Sequence, residues 1–473
     1  MTNNGIVQKL WNLCNVLRDD GITYHEYVSE LTYILFLKMC AQMENEATVG
    51  IPEKYRWENI SKLSGIELKN AYQQALLDLG KASGNLGTIY RMAQTKIEEP
   101  ANLKKIFNEI GKIDWYSVDK ENFGDLYEGL LEKNASEKKS GAGQYFTPRV
   151  LIDSIIRIVK PQPGERICDP AAGTFGFIIE ADKYLRSITH KYFDLSEAEN
   201  KFQENEAFSA CELVSDTHRL GIMNAMLHDV NGNFIQGDSL SETGKALDNF
   251  DVIMTNPPFG TKKGGERATR DDLLFSTSNK QLNFMQVIYN SLKSNGLSRA
   301  AVVIPDNVLF EGGVGRDIRK DLLDKCDLHT VLRLPTGIFY AQGVKTNVLF
   351  FTKGKNRSKD NTKEVWYYDL RTNMPNFGKT TPLTEKHFEE FEKTFDNVKE
   401  KDKLERWNKF TIEEIAKKDY SLDLGLIKDD SVLDSDNLPN PVESAKDTID
   451  QLERAIDLLQ GVVKELHSCG VED

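Results

Sequence analysis

The stretch Arg166-Ile167-Cys168-Asp169-Pro170-Ala171-Ala172-Gly173-Thr174-Phe175-Gly176-Phe177 decides the fold. It reads as a short buried strand, a turn of small residues and a helix starting at about Gly176. That is the first unit of a doubly wound α/β sheet, in which the turn after the first strand lies against a ligand. Small residues let the backbone approach closely, and free N–H groups at the helix start can meet a carboxylate. Asp169, Gly173, Thr174, Phe175 and Gly176 are therefore candidate binding residues.

Towards the C-terminus the pattern repeats. Phe208–Cys211, Asp251–Met254 and Ala300–Ile304 have the apolar composition of buried parallel strands, alternating with helical stretches. Asn347–Phe351 closes the set as an antiparallel edge or hairpin strand. Glu212 ends the second strand, where an acid can accept both hydroxyls of a ribose. It stands 43 residues beyond Asp169, against a usual ~20, and the polar segment from Lys191 to Glu206 accounts for the excess. Asp238 follows a third strand and is placed to accept from an adenine amino group.

After the strand Asp251–Met254 comes Asn256-Pro257-Pro258-Phe259. An amino group conjugated to an aromatic ring is a poor nucleophile, because its lone pair is delocalised. The Asn256 side-chain oxygen and the Pro257 carbonyl can accept its two hydrogens and draw the nitrogen towards tetrahedral geometry. Two prolines stiffen the loop, and Phe259 offers a face for an extruded base. The basic segment Lys262–Arg270 is a candidate phosphate contact. Upstream, Gln144-Tyr145-Phe146-Thr147-Pro148-Arg149 opens a helix, with Thr147 as N-cap and Pro148 at the first helical position. Free N–H groups there, with Arg149, suit a carboxylate.

Residues 1–140 read as a helical N-terminal domain, with apolar residues three and four apart in Ile6–Arg18 and Tyr27–Met43. Ser136–Gly143 is a polar linker, 141–355 the α/β domain and 356–440 a mixed extension. In 441–473, Ile449, Leu452, Ile456, Leu459, Val463 and Leu466 form a heptad seam, the mark of a partner-binding helix. No apolar run is long enough to span a bilayer, and no basic-then-apolar leader is visible, so the default compartment is cytoplasmic. The six cysteines include no CxxC pair, which argues against a zinc or disulfide framework. A net charge of −13 is unusual for a chain that grips nucleic acid alone.

The order FTP, DPxxGxxGF, NPPF resembles gamma-type amino-methyltransferases. With the helical domains on either side, the whole chain resembles the modification subunit of type I restriction–modification systems. Thr277–Gln281, Pro305–Gly313, Leu334–Phe339 and Lys345–Asn347 are similar to that family as well. The resemblance implies a Rossmann-like class I methyltransferase sheet and transfer of a methyl group from S-adenosylmethionine to adenine N6 in double-stranded DNA. Gln144–Arg149, Asp169, Gly173–Gly176, Glu212 and Asp238 would hold the cofactor; Asn256–Phe259 would activate the flipped base. It implies two modification subunits per specificity subunit, the latter reading the DNA, and a separate restriction/translocase subunit. That division of labour accounts for the acidic charge. Family members often carry a small residue where Phe175 stands; its ring would crowd the cofactor, strain the backbone or point away. Two alternatives stay open on the motifs: a methyltransferase acting on a glutamine amide in protein, and a non-catalytic subunit that has lost cofactor binding through Phe175.

Overall fold

The computed structural model describes residues 8–10, 12–13, 24–113, 147–259, 270–339, 344–355, 360–375, 377 and 381–425. Its strands are β1 (Ile167–Asp169), β2 (Phe208–Glu212), β3 (Asn233–Gln236), β4 (Val252–Thr255), β5 (Arg299–Pro305), β6 (Cys326–Arg333), β7 (Thr346–Lys353), β8 (Glu364–Asp369) and β9 (Trp407–Thr411). Together they form one sheet in the order β3-β2-β1-β4-β5-β7-β6-β8-β9. Pairing is parallel from β3 through β5, and β7 runs antiparallel between β5 and β6. The expected class I methyltransferase sheet is present. Asn347–Phe351, expected as an antiparallel edge or hairpin strand, is antiparallel to both neighbours and pairs with the preceding β6, so it lies in the interior of the sheet rather than at its edge. β8 adds in parallel to β6 and β9 antiparallel to β8, so residues beyond 355 continue the same sheet.

Alternation along the central strands explains the two-sided core. Ile167, Val252, Met254, Ala301 and Val303 face one apolar layer, while Cys168, Ile253, Ala300, Val302 and Ile304 face the other. The first layer contains helices α5 (Arg149–Val159), α6 (Gly176–Ile188) and α8 (Ser215–Leu227); α7 (Glu197–Asn205) fills the polar segment before β2. The second contains α9 (Lys280–Ser291) and α11 (Val314–Lys325), with α10 (Asp306–Phe310) between β5 and α11.

Before the sheet stand α1 (Tyr24–Gln42), α2 (Gly65–Leu79), α3 (Gly84–Tyr90) and α4 (Pro100–Gly111). Every residue from Glu30 to Cys40 is buried, so this part of α1 is surrounded rather than amphipathic. These N-terminal helices are continuous with the sheet core through α8. There Arg219 donates to the Tyr33 hydroxyl at 2.6 Å and to the Arg91 carbonyl at 3.3 Å. At the other end of the chain, Arg157 on α5 makes a two-pronged pair with Glu392 at 2.8 and 2.9 Å, and Lys160 meets Asp396 at 2.7 Å. Both acids belong to the segment around α12 (Glu389–Thr394). Ile6–Arg18, apart from five of its residues, lies outside the described residues, as do the Ser136–Gly143 linker, the loop 262–269 and the heptad seam of 442–466. No helix among the described residues is long and apolar enough to cross a membrane.

Candidate active site

The chain order sends β1, β2 and β3 one way across the sheet and β4 and β5 the other. The crevice outside the carboxyl ends of β1 and β4 is the switch point, where ligands of such sheets sit. Asp169, Glu212 and Asn256 all stand there, at the ends of β1 and β2 and just past β4.

The turn after β1 is tied to its neighbours by short bonds. Ala172 N–H donates to the Cys211 carbonyl at 3.0 Å. Gly173 N–H donates to one Glu212 carboxylate oxygen at 3.0 Å, and Val214 N–H to the other at 2.8 Å. Ser239 Oγ donates to the Pro170 carbonyl at 2.6 Å. Asp169 is buried and accepts from Ala171 N–H at 3.0 Å; burial pushes its carboxyl up to about 7. Burial also raises Glu212, against hydrogen bonds from Val214 and Gly173 that oppose the shift. Gly173 has φ +54° and open space where a Cβ would stand, so the turn leaves room on that side. Leu213 and Val214, two apolar side chains exposed by 43% and 42%, lie beside the Glu212 carboxylate. In sequence neither stands out except by its place just after a strand-end acid. Asp238 turns its carboxylate back to Leu240 N–H at 2.9 Å.

Phe175 turns away from the turn's open side. It is completely buried, at φ +68°, with its ring packed on Phe234 and His218 at centroid distances of 4.9 and 5.8 Å. Gly221 on α8 makes the space: a Cβ there would stand 2.6 Å from the ring. Asn224, one turn further along α8, donates to the Thr174 carbonyl at 3.0 Å.

The Asn256 amide nitrogen donates to Thr147 Oγ1 at 3.0 Å. Its Oδ1 is buried and accepts no hydrogen bond among the described residues. The Thr147 hydroxyl is therefore engaged with Asn256 and caps no helix: α5 begins at Arg149, with Pro148 as N-cap and no side-chain cap. This corrects the expected cap by one residue. Arg149 pairs with Glu180 of α6 and lies 3.8 Å from Asp153, so its charge is met within the protein. Gln144, Tyr145 and Phe146 lie outside the described residues. In the proline loop, Gln281 of α9 donates to the Pro258 carbonyl at 2.9 Å. Phe259 is half-buried and meets Phe339 edge-to-face at 6.2 Å.

The family model described as N-6 DNA Methylase matches residues 118–433, and that of the HsdM N-terminal domain matches 6–110. The chain is similar to the type I restriction enzyme StySPI methylase subunit of Salmonella potsdam and the EcoKI methylase subunit of Escherichia coli K12. Each is 46% identical over 98% of this chain and 96% of the relative. Among solved structures it is similar to the EcoKI M protein, with TM-score 0.56 and 41% identity over 99% of this chain and 97% of that one. A chain from a structure of type I R-M complex assembly and conformational transition gives TM-score 0.73 and 26% identity, covering both chains fully.

Proposed function

Because the chain belongs to the methylase subunits of type I restriction enzymes, and so is an adenine-specific DNA methyltransferase, we propose that it takes its methyl group from S-adenosylmethionine and places it on N6 of an adenine flipped out of double-stranded DNA. Sequence recognition then comes from a specificity subunit joined by two copies of this chain, and a restriction/translocase subunit completes the assembly.

One observation carries the chemical part: the buried, unfilled acceptor Oδ1 of Asn256. A buried polar atom without a partner costs about 1–3 kcal/mol, and an incoming amino group would relieve it. The bond to Thr147 holds the amide nitrogen away, leaving the oxygen as the acceptor. The Pro257 carbonyl is the natural second acceptor, since Pro258's is taken by Gln281. Two acceptors on one amino group draw its lone pair out of conjugation and stabilise the positive charge that develops there. Phe259, braced by Phe339, is the stacking face.

The residues round the β1 turn fit a nucleoside with a carboxylate. Glu212 has lone-pair capacity beyond its backbone bonds for ribose hydroxyls, Leu213 and Val214 border it with apolar surface, and Gly173 leaves the approach clear. When bound, S-adenosylmethionine supplies an electrophilic methyl carbon. The inward-packed ring of Phe175 supports cofactor binding over its loss. The full length of the match to DNA methylase subunits favours DNA over a protein amide. With Arg149 paired to Glu180, the carboxylate is left to backbone N–H groups.

The test uses the assembled complex, tritiated S-adenosylmethionine and unmodified genomic DNA. Asn256→Ala should lower methyl transfer by ~10²–10³-fold, with cofactor affinity by calorimetry unchanged. Full activity in that variant, or label on cytosine, contradicts the proposal.

A further inference from the structure

α9 begins with a row of amides that are buried although each has a polar head to satisfy: Asn279, Gln281, Asn283 and Gln286. Most of their bonds go to nearby chain. Asn279 Oδ1 caps the helix, accepting from Gln281 and Leu282 N–H at 3.0 and 3.3 Å. Asn283 donates to the Thr277 carbonyl at 2.8 Å. Gln286 grips both backbone groups of Phe275 at 2.9 and 2.8 Å. Gln281 is different: its amide reaches across to the Pro258 carbonyl, inside the loop that carries Asn256 and Phe259. Its own helical turn is fixed from a second side, because Asn279 Nδ2 donates to Glu311 at 2.6 Å and Arg319 holds the Glu311 carbonyl at 2.8 Å.

We propose that Gln281 is a positioning residue for methyl transfer: by holding the Pro258 carbonyl it sets the peptide plane between Pro258 and Phe259, aiming the stacking ring and leaving the Pro257 carbonyl for the substrate amino group. Pro257 and Pro258 each have a fixed φ, so the remaining freedom of the loop lies in ψ. One hydrogen bond to the second carbonyl removes most of it. A donor at 2.9 Å from a helix anchored at both flanks is a stiff restraint, and a misplacement of the acceptors falls on rate rather than on binding.

The inference rests on the reading that Asn256–Phe259 is the reacting loop, and the experiment separates the two. Gln281→Met keeps the size and removes the donor; Gln281→Glu keeps the shape and donates only when protonated. In the assembled complex, with tritiated S-adenosylmethionine and unmodified genomic DNA, Gln281→Met should lower kcat by about 10–100-fold, the range that a misplacement of up to about 1 Å in the reacting geometry can cause. KM for DNA, cofactor affinity and melting temperature should stay near wild type. Activity of Gln281→Glu relative to wild type should rise as pH falls from about 8 to about 6, as its carboxyl takes up a proton. A folded Gln281→Met with kcat within about twofold of wild type overturns the proposal. If that variant does not fold, a Gln281→Glu enzyme with wild-type kcat at about pH 8, where its ionised carboxylate cannot donate, overturns it instead. Full activity in Asn256→Ala, run in parallel, would strike the reading of the loop rather than the role of Gln281.

Discussion

Phe175 shows how a residue that looks obstructive in sequence becomes supportive in three dimensions. A non-glycine residue held in the left-handed region costs on the order of 1 kcal/mol or more, whereas full burial of a phenylalanine contributes about 1.5–3 kcal/mol. Burial therefore outweighs the strain and holds the turn in its shape. Phe175→Gly should lower stability by about 3–5 kcal/mol less the relieved strain, because the ring's cavity remains, and should not tighten cofactor binding. Denaturant melts and calorimetry on the variant check this; tighter binding at unchanged stability would mean that the ring crowds the cofactor after all. The direction of that ring was not legible in sequence, because the space it occupies comes from Gly221, 46 residues away. Thr147 is a similar case. Its hydroxyl is a good cap locally, yet Asn256 arrives from a position 109 residues on and takes it. The positions of Asn256, Phe259 and Glu212 at the strand ends were legible, since each ends or follows a strand that is recognisable from its own residues.

At the level of elements, legibility followed hydrophobicity. β1, β2, β4 and β5 are buried almost throughout and read as strands unaided. β6 carries Asp327, His329 and Thr330, and its pairing shifts register between Leu328 and Thr330, so neither composition nor alternation announces it. β8 is the exception, apolar and buried but for Glu364, yet set with β9 in a charged segment that obscures it. Helix α1 carries an anomaly of the opposite kind, the buried carboxyl of Glu30 within an apolar surround. It accepts from Lys96 N–H and, at 3.2 Å, from the Tyr72 hydroxyl, and burial pushes it up to about 7. Between about pH 4.5 and pH 7 the folded chain therefore holds a proton that the unfolded chain releases, so stability falls as pH rises through that window. The loss is on the order of 3 kcal/mol by pH 8. Glu30→Gln should flatten the dependence of melting temperature on pH between about 5 and 8; an unchanged slope would mean that other groups set it.

For the whole molecule, the net charge of −13 and the seam from Ile449 to Leu466 bear on the same proposal, that this subunit works only in company. Deleting the residues after Pro441 should leave a folded, cofactor-binding core and weaken co-purification with the specificity subunit. Normal assembly by the truncated chain would make the tail merely structural. The clasp of Arg157 and Lys160 by Glu392 and Asp396 has a consequence in time. Arg157 and Glu392 are 235 residues apart, and ribosomes add about 5–20 residues per second. By that rate the outer side of α5 emerges roughly 10–50 s before the acids that will cover it. Well before that interval ends the nascent chain carries the turn, Glu212 and the proline loop, but not its closing segment. A message cut short between β7 and α12 would yield a polypeptide with every proposed reacting group and an uncovered helix, a natural client for chaperones and proteases.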